Sequence, residues 1–164
     1  MTERTALQQS GTLRLRPATP DDVERVFAWR NDPYIVSRSS SRQTVTRDEH
    51  CRWFSRAIAD PGTLFYIIES HGFPAGQARF ERRAGGNEAV ISVYLLPPHV
   101  GKGLGRAAID AACREAFLRW KVGRIVAHVR EDNSAARRAF AASGFVPGSD
   151  AMAPAGHATY VRHA

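Results

Sequence analysis

An α+β fold built on a mostly antiparallel sheet is what this sequence predicts, and three observations predict it. Three strand-like runs, Leu64–Glu69, Phe73–Glu81 and Ala89–Leu96, follow one another across the short turn-like segments Ser70-His71-Gly72 and Arg82–Asn87. Connections that short force antiparallel neighbours. Helix patterns stand before and after this meander rather than within it, and a glycine-rich segment, Pro97–Arg106, joins it to the longest of them.

Each element has a local reason. Leu13-Arg14-Leu15-Arg16 alternates and reads as a short strand. Thr19-Pro20-Asp21-Asp22 supplies a helix start, with a capping hydroxyl, proline at the first helical position and acids in the first turn. Val23, Val26, Phe27 and Arg30 follow at helical spacing until Asn31-Asp32-Pro33 ends that helix, and the polar, serine-rich Tyr34–Thr44 reads as a surface loop. Thr46-Arg47-Asp48-Glu49 is a capping box opening a second helix, whose buried face is Trp53, Phe54, Ala57 and Ile58. Beyond the glycines, Ile109, Cys113, Ala116, Phe117 and Trp120 form the apolar stripe of a long helix. A strand over Arg124–Val129, a helix from Asp132-Asn133-Ser134 to Gly144 and a last strand near Ala158–Arg162 complete the order.

The 164 residues make one domain over 13–164 behind a flexible tail at 1–12, with 43% hydrophobic content for its core. The 23 basic residues outnumber the 16 acidic ones, giving a formal charge of +7, and only Lys102 and Lys121 are lysines. Arginine suits bidentate contact with phosphates and carboxylates, which points to an anionic ligand. Cys51 and Cys113 have no metal-ligand spacing, none of the histidines does either, and no metal is expected. No apolar run approaches membrane-spanning length and the first residues lack a signal-peptide core, so a soluble cytoplasmic protein is expected. A nucleic-acid partner is suggested by charge alone, without a recognisable reading motif. Oligomeric state stays open, a homodimer included, and so does the role of residues 148–164.

The densest chemistry lies in Val100-Gly101-Lys102-Gly103-Leu104-Gly105-Arg106. Glycines at alternate positions let backbone N–H groups crowd around an anion, and the helix N-terminus that follows adds partial positive charge. A Walker A loop is excluded, because no Lys-Ser/Thr pair closes the segment. The dinucleotide fingerprint is matched by Gly103, Gly105 and Ala108, with Glu131 as the acid, but it stands too late in the chain for a doubly wound sheet to follow.

Together with Asn133-x-x-Ala136-x-x-x-Phe140-x-x-x-Gly144-Phe145, this segment resembles the GCN5-related N-acetyltransferase (GNAT) superfamily, in two motifs of the right order and separation. The resemblance runs from about Leu13 to Phe145. It implies a mixed, mostly antiparallel sheet of six to seven strands flanked by about four helices, and a metal-independent enzyme that moves acetyl from acetyl-CoA directly to an amine. It further implies that backbone groups of Leu95 and Leu96 hold the pantetheine arm, that amides from Gly101 to Arg106 hold the pyrophosphate, that Asn133 bonds the pantetheine side, and that Ala136 and Phe140 line the path to the thioester. Two positions depart from the family pattern. Val100 stands where Arg or Gln is usual, and Phe140 stands where a tyrosine commonly protonates the departing thiolate.

For the chemistry, Glu88 at the start of its strand is the candidate base, and the Tyr94 phenol is the candidate replacement for the missing acid. An exposed acid at a strand end accounts equally for Glu88, and packing of an aromatic in the sheet accounts more readily for Tyr94. Trp29-Arg30-Asn31-Asp32-Pro33 with Thr46-x-x-Glu49-His50-x-x-Trp53-Phe54 resembles the subgroup that acetylates nucleotide-linked amino sugars, including the UDP-4-amino-sugar N-acetyltransferases of pseudaminic acid synthesis. Arg30, Asn31 and His50 are then the candidate acceptor contacts. The same pattern shades into the ribosomal-protein N-terminal acetyltransferases. A CoA-binding regulator with weak catalysis is the reading that Phe140 allows.

Overall fold

A computed structural model describes residues 13–164, so the expected tail at 1–12 lies outside the described residues. Seven strands form one sheet: β1 (Leu13–Pro17), β2 (Thr63–Ser70), β3 (Phe73–Arg82), β4 (Glu88–Leu95), β5 (Arg124–Arg130), β6 (Val146–Pro147) and β7 (His157–His163). Their order is β1-β2-β3-β4-β5-β7-β6, and every pairing is antiparallel except β4 with β5. Five helices, α1 (Val23–Arg30), α2 (Pro33–Arg38), α3 (Arg47–Ala59), α4 (Leu104–Trp120) and α5 (Ser134–Ala142), flank it. The α+β, mostly antiparallel expectation holds.

The two faces of the sheet carry separate cores. On one, Phe80, Ala89, Ile91, Ile125 and Ala127 pack against α4, which buries Ala108, Ile109, Ala112, Cys113 and Ala116. Alanines at i, i+4 and i+8 let that helix lie close to the strands, and each large apolar side chain removed from water contributes about 1.5–3 kcal/mol. Cys113 is fully buried here, and burial pushes its thiol pKa up to about 12, so it acts as a small apolar residue. On the other face, Phe65 and Ile67 of β2 pack with Val26 of α1 and Phe54 of α3.

Two local expectations are corrected, and one short strand is added. The helix expected from Pro20 opens as a 3-10 turn over Pro20–Asp22, and Asp22 turns inward to accept hydrogen bonds from Arg16, Arg25 and the Thr19 amide. The loop expected over Tyr34–Thr44 begins instead with α2. Asp32 caps that helix by accepting from the Tyr34 amide at 2.8 Å, and Pro33 fills its first position, so the residues that stop α1 also start α2. Finally, Val146–Pro147 forms the short edge strand β6, and β7 slots between it and β5.

The feature that positions the site is a fork. The β4–β5 ladder runs from Glu88↔Arg124 to Ile91↔Ala127 and stops, while β4 continues along β3 to Leu95 and β5 continues along β7 to Arg130. The glycine segment and α4 follow the open end of β4, and α5 follows the open end of β5.

Candidate active site

Alternation along β4 decides which backbone groups meet the fork. Glu88 accepts from the Arg83 amide and Leu96 donates to the Ala75 carbonyl, so even-numbered residues of β4 face β3. Val93 and Leu95 therefore point their N–H and C=O groups into the opened edge, beyond the last β4–β5 pair. This corrects one expectation. The Leu96 N–H is spent on Ala75 at 2.8 Å and its carbonyl already accepts from the His99 amide at 2.9 Å, whereas Val93, not singled out in the sequence, lies just beyond the last β4–β5 pair.

Beyond Leu96 a single 3-10 turn, Pro97–His99, leads to the glycine segment, and the Val100 N–H is used within it on the Pro97 carbonyl. None of the six backbone amides from Gly101 to Arg106 donates a hydrogen bond within the described residues. Gly101 and Gly103 have φ of 78° and 77°, which a residue with a Cβ adopts only with strain, and Gly103 caps α4 without any side chain. The first turn of α4 carries no acid. Six free amides on a helix N-terminus are a cradle for an anion such as a pyrophosphate, so the residues present fit the phosphates of a CoA thioester. Lys102 lines a second cavity, of about 590 Å³, with His71, Phe73 and His99, and Arg106 stands 3.8 Å from Asp110.

Across the fork, Asn133 caps α5. Its Oδ1 accepts from the Ala136 amide at 3.2 Å, while its Nδ2 makes no hydrogen bond within the described residues. Ala136 packs on the core, and Phe140 meets Phe145 edge-on with ring centroids 5.0 Å apart. Phe140 also lines the principal cavity, of about 700 Å³, whose floor is β3 and β4 and whose far wall is α1, α2 and α3. Volumes of this size suit small-molecule ligands.

The floor is polar and unsatisfied. Gln77 stands opposite Tyr94, and Arg79 opposite Ser92, on the β3–β4 ladder. Gln77 Oε1, Arg79 Nε and Tyr94 OH are buried without a hydrogen-bond partner. Burial raises the Tyr94 pKa well above the usual phenol value, so the hydroxyl keeps its proton. Burial lowers that of Arg79, but a guanidinium stays charged, and it sits 4.9 Å over the Trp53 ring and 3.2 Å from Glu81. Arg30 and Arg38 add positive charge to the wall, against a single acid, Glu49. Glu49 is committed to the capping box of α3.

The remaining sequence candidates divide. Arg30 lines the cavity, but its guanidinium also holds the Gln43 carbonyl and Ser41. Asn31 exchanges two bonds with the Val45 backbone, so it is a clamp on the chain rather than a free recognition group. His50 is 2% exposed, bonded to the Val23 carbonyl at 3.0 Å and surrounded by Phe27, Trp53 and Phe54. Burial lowers its pKa and holds the ring neutral, and the residue also lines the principal cavity. Glu88 sits at the opposite end of β4 from Tyr94, gripped by Arg83 and by Arg124 Nε at 2.6 Å, and lines neither cavity. Gln77, Arg79 and His128 were not singled out as site residues. Their only sequence signal is a polar residue at every second position of a strand, which ordinarily marks a solvated face.

A family model for the acetyltransferase (GNAT) domain matches residues 12–146, most of the chain. The chain belongs to the GNAT acetyltransferase family. This GNAT protein is an acetyl-CoA-dependent N-acetyltransferase. It is similar in fold to AAC(6')-Ib in complex with ribostamycin and coenzyme A, at 22% identity and a TM-score of 0.81 over 93% of each chain. The ribosomal-protein alpha-N-acetyltransferase RimL in complex with coenzyme A is 20% identical, with a TM-score of 0.81 over 96% of this chain and 97% of that one. The microcin C7 self-immunity acetyltransferase MccE, in complex with acetyl-CoA and AMP, is 16% identical, with a TM-score of 0.78 over 97% and 99%. No curated protein matches the sequence. Among the described residues there is no group of His, Cys, Asp and Glu able to hold a metal ion, and no helix is long and apolar enough to cross a membrane.

Proposed function

We propose that this GNAT enzyme acetylates the primary amine of a small acceptor that carries an anionic group, in the class of the nucleotide-linked amino sugars. The observation that carries this reading is the buried Arg79 Nε, left without a partner on the cavity floor, two residues along β3 from Gln77 and opposite Ser92. A buried donor without a partner costs about 1–3 kcal/mol, and a hydrogen bond from a charged donor to an acceptor returns a comparable amount. Arg30 and Arg38 repeat the same sign on the wall. Such a cavity favours a phosphate or carboxylate and repels a polycationic acceptor of the aminoglycoside kind. The similar fold of MccE was solved with AMP beside acetyl-CoA, which supports a nucleotide-bearing acceptor.

Acetyl-CoA supplies the acyl carbonyl and a sulfur that leaves with the electron pair of the broken bond. The amides of Gly101 to Arg106 hold its pyrophosphate, and the free backbone of Leu95 and the Nδ2 of Asn133 bond the pantetheine amides. Val93 N–H, one step deeper in the fork, polarises the acyl oxygen. Ala136 and Phe140 shape the channel between the fork and the cavity. Tyr94, protonated and desolvated, donates to the sulfur as negative charge builds there. Phe140 lacks the hydroxyl for that task.

The deciding experiment is CoA release from acetyl-CoA with UDP- and dTDP-linked amino sugars, N-terminal peptides and an aminoglycoside as acceptors, the products weighed by mass spectrometry. Acetylated nucleotide sugar is the expected product. Turnover of the peptides or the aminoglycoside alone overturns the acceptor assignment and leaves the acetyl transfer standing.

A further inference from the structure

The wall of the fork opposite Tyr94 carries a second set of groups, assembled from three separate parts of the chain. His128 follows the last residue of β5 that pairs with β4, so a continued register would set it against Ser92. Its side chain lies on the cavity face and lines the cavity with Ser92, Tyr94 and Phe140. The ring Nε2 lies 2.6 Å from Asp150 Oδ2, and both side chains are nearly buried. Asp150 comes from the segment between β6 and β7 and is gripped by both terminal nitrogens of Arg83, at 3.1 Å and 2.5 Å, and by the Met152 amide at 3.2 Å.

This arrangement dictates the tautomer. The Arg83 bonds hold the Asp150 carboxyl far below the usual carboxylate range, so it is always an acceptor. The imidazole must then donate from Nε2, and Nδ1 keeps the lone pair of the neutral ring. Nδ1 makes no hydrogen bond within the described residues and is not among the buried atoms left without a partner. A ring with its acceptor nitrogen open to a cavity and its donor nitrogen pinned by a buried carboxylate is the arrangement of a general base and its positioning group.

We infer that His128 Nδ1 is the base that takes a proton from the acceptor amine, and that Asp150, held by Arg83, positions it. The inference rests on the acetyl transfer itself and not on which amine is acetylated. The ammonium passes one proton to Nδ1, and the neutral amine then forms its bond to the acyl carbon while the carbon–sulfur bond breaks toward sulfur. The nitrogen gives up a second proton as the amide forms. One of the two protons ends on the thiol and the other leaves through His128 to solvent, which balances the reaction without a further reactant. Glu88, engaged by two arginines at the far end of β4, is not needed.

The test compares His128→Gln, His128→Ala and Asp150→Asn with the wild-type enzyme in two assays. One follows transfer to the acceptor panel, and the other follows acetyl-CoA hydrolysis without acceptor, in which water needs the same base. His128→Gln is expected to lower kcat about 100-fold in both assays with acetyl-CoA affinity unchanged. Added imidazole is expected to restore a part of the activity of His128→Ala, which a packing role would not allow. Nitrogen-15 spectra of the wild-type ring are expected to show Nε2 protonated and Nδ1 bare, and Asp150→Asn is expected to lose that single tautomer and to lower kcat more than it raises KM. A His128→Gln enzyme within twofold of wild type in both assays, or a wild-type ring protonated on Nδ1, overturns the inference. Failure of every nucleotide sugar in the panel touches only the acceptor reading, because hydrolysis still reports on the base.

Discussion

Tyr94 stands directly across the β3–β4 ladder from Gln77, and each leaves a side-chain oxygen buried without a hydrogen-bond partner on the floor of the principal cavity. Folding does not satisfy this pair, and a bound acceptor and thioester can. Tyr94→Phe removes the hydroxyl proposed to donate to the sulfur. It is expected to lower kcat by about 100-fold with little change in acetyl-CoA affinity. Adding Phe140→Tyr to that variant returns a hydroxyl from the other side of the fork, and steady-state kinetics should show about tenfold recovery. A double variant no faster than Tyr94→Phe would remove the phenol from the proton path.

On the proposed reading, Arg79 meets the acceptor rather than the acetyl donor. Arg79→Gln keeps polarity on the floor and deletes the charge. For an anionic acceptor, kcat/KM is expected to fall by about 10- to 100-fold, equal to roughly 1.4–2.7 kcal/mol. The acetyl-CoA dissociation constant, measured by calorimetry, should stay within twofold.

The glycine cradle yields a separable effect on the donor. Gly103 has φ of 77° with open space where a Cβ would stand, so Gly103→Ala strains only the backbone, by about 1 kcal/mol. Relief of that strain turns the amides of Lys102 to Leu104 away from their common focus. Acetyl-CoA affinity should weaken by about tenfold or more while the melting temperature moves by only a few degrees.

Gly76 is the opposite case, limited by space rather than by angle. A Cβ there would stand 2.1 Å from the Tyr94 carbonyl oxygen and 2.9 Å from the Leu95 Cα, both backbone atoms. Gly76→Ala is expected to push β3 from β4 at the fork and cost on the order of 1–3 kcal/mol, read by denaturant unfolding. Activity should fall with it, because Tyr94 and Leu95 are the residues displaced.

Asp22 sets an acid limit on stability. Burial by itself would raise its pKa, but the Arg16 bonds and the Thr19 amide outweigh burial and hold it at about 2, below the ordinary 3.8. A depressed carboxyl contributes stability above its unfolded pKa and loses it as the pH falls through the folded one. About 2 kcal/mol should therefore disappear between roughly pH 4 and pH 2, and Asp22→Asn should flatten the stability profile across that window.

The local patterns behind the proposed donor side were legible in the chain. The glycine spacing, the Asn133 cap and the Phe140 position are local patterns, and the structure places them on the two arms of one fork. Leu96 shows the limit of such reading: whether a strand residue faces one neighbour or the other depends on the register with β3, which its own sequence does not contain. Asn31 and His50 show it again. Both have the residue type of a recognition group, yet Asn31 spends both side-chain polar atoms on the Val45 backbone, and His50, at the cavity, spends its Nε2 on the Val23 carbonyl.

The sequence by itself determined the order of elements, the capping signals and the cradle, because helix periodicity, turn chemistry and positive-φ glycines act over a few residues. The tertiary structure alone decided which polar strand residues face a cavity. Gln77, Arg79 and His128 alternate with apolar neighbours as solvated residues do, and only the helices and loops folded over that face of the sheet turn them into the lining of a cavity. Arg83 and Asp150 are 67 positions apart, and His128 and Asp150 are 22 apart. No local pattern spans such separations, and only the packing of the segment before β7 against β5 and the β3–β4 connection brings these groups together.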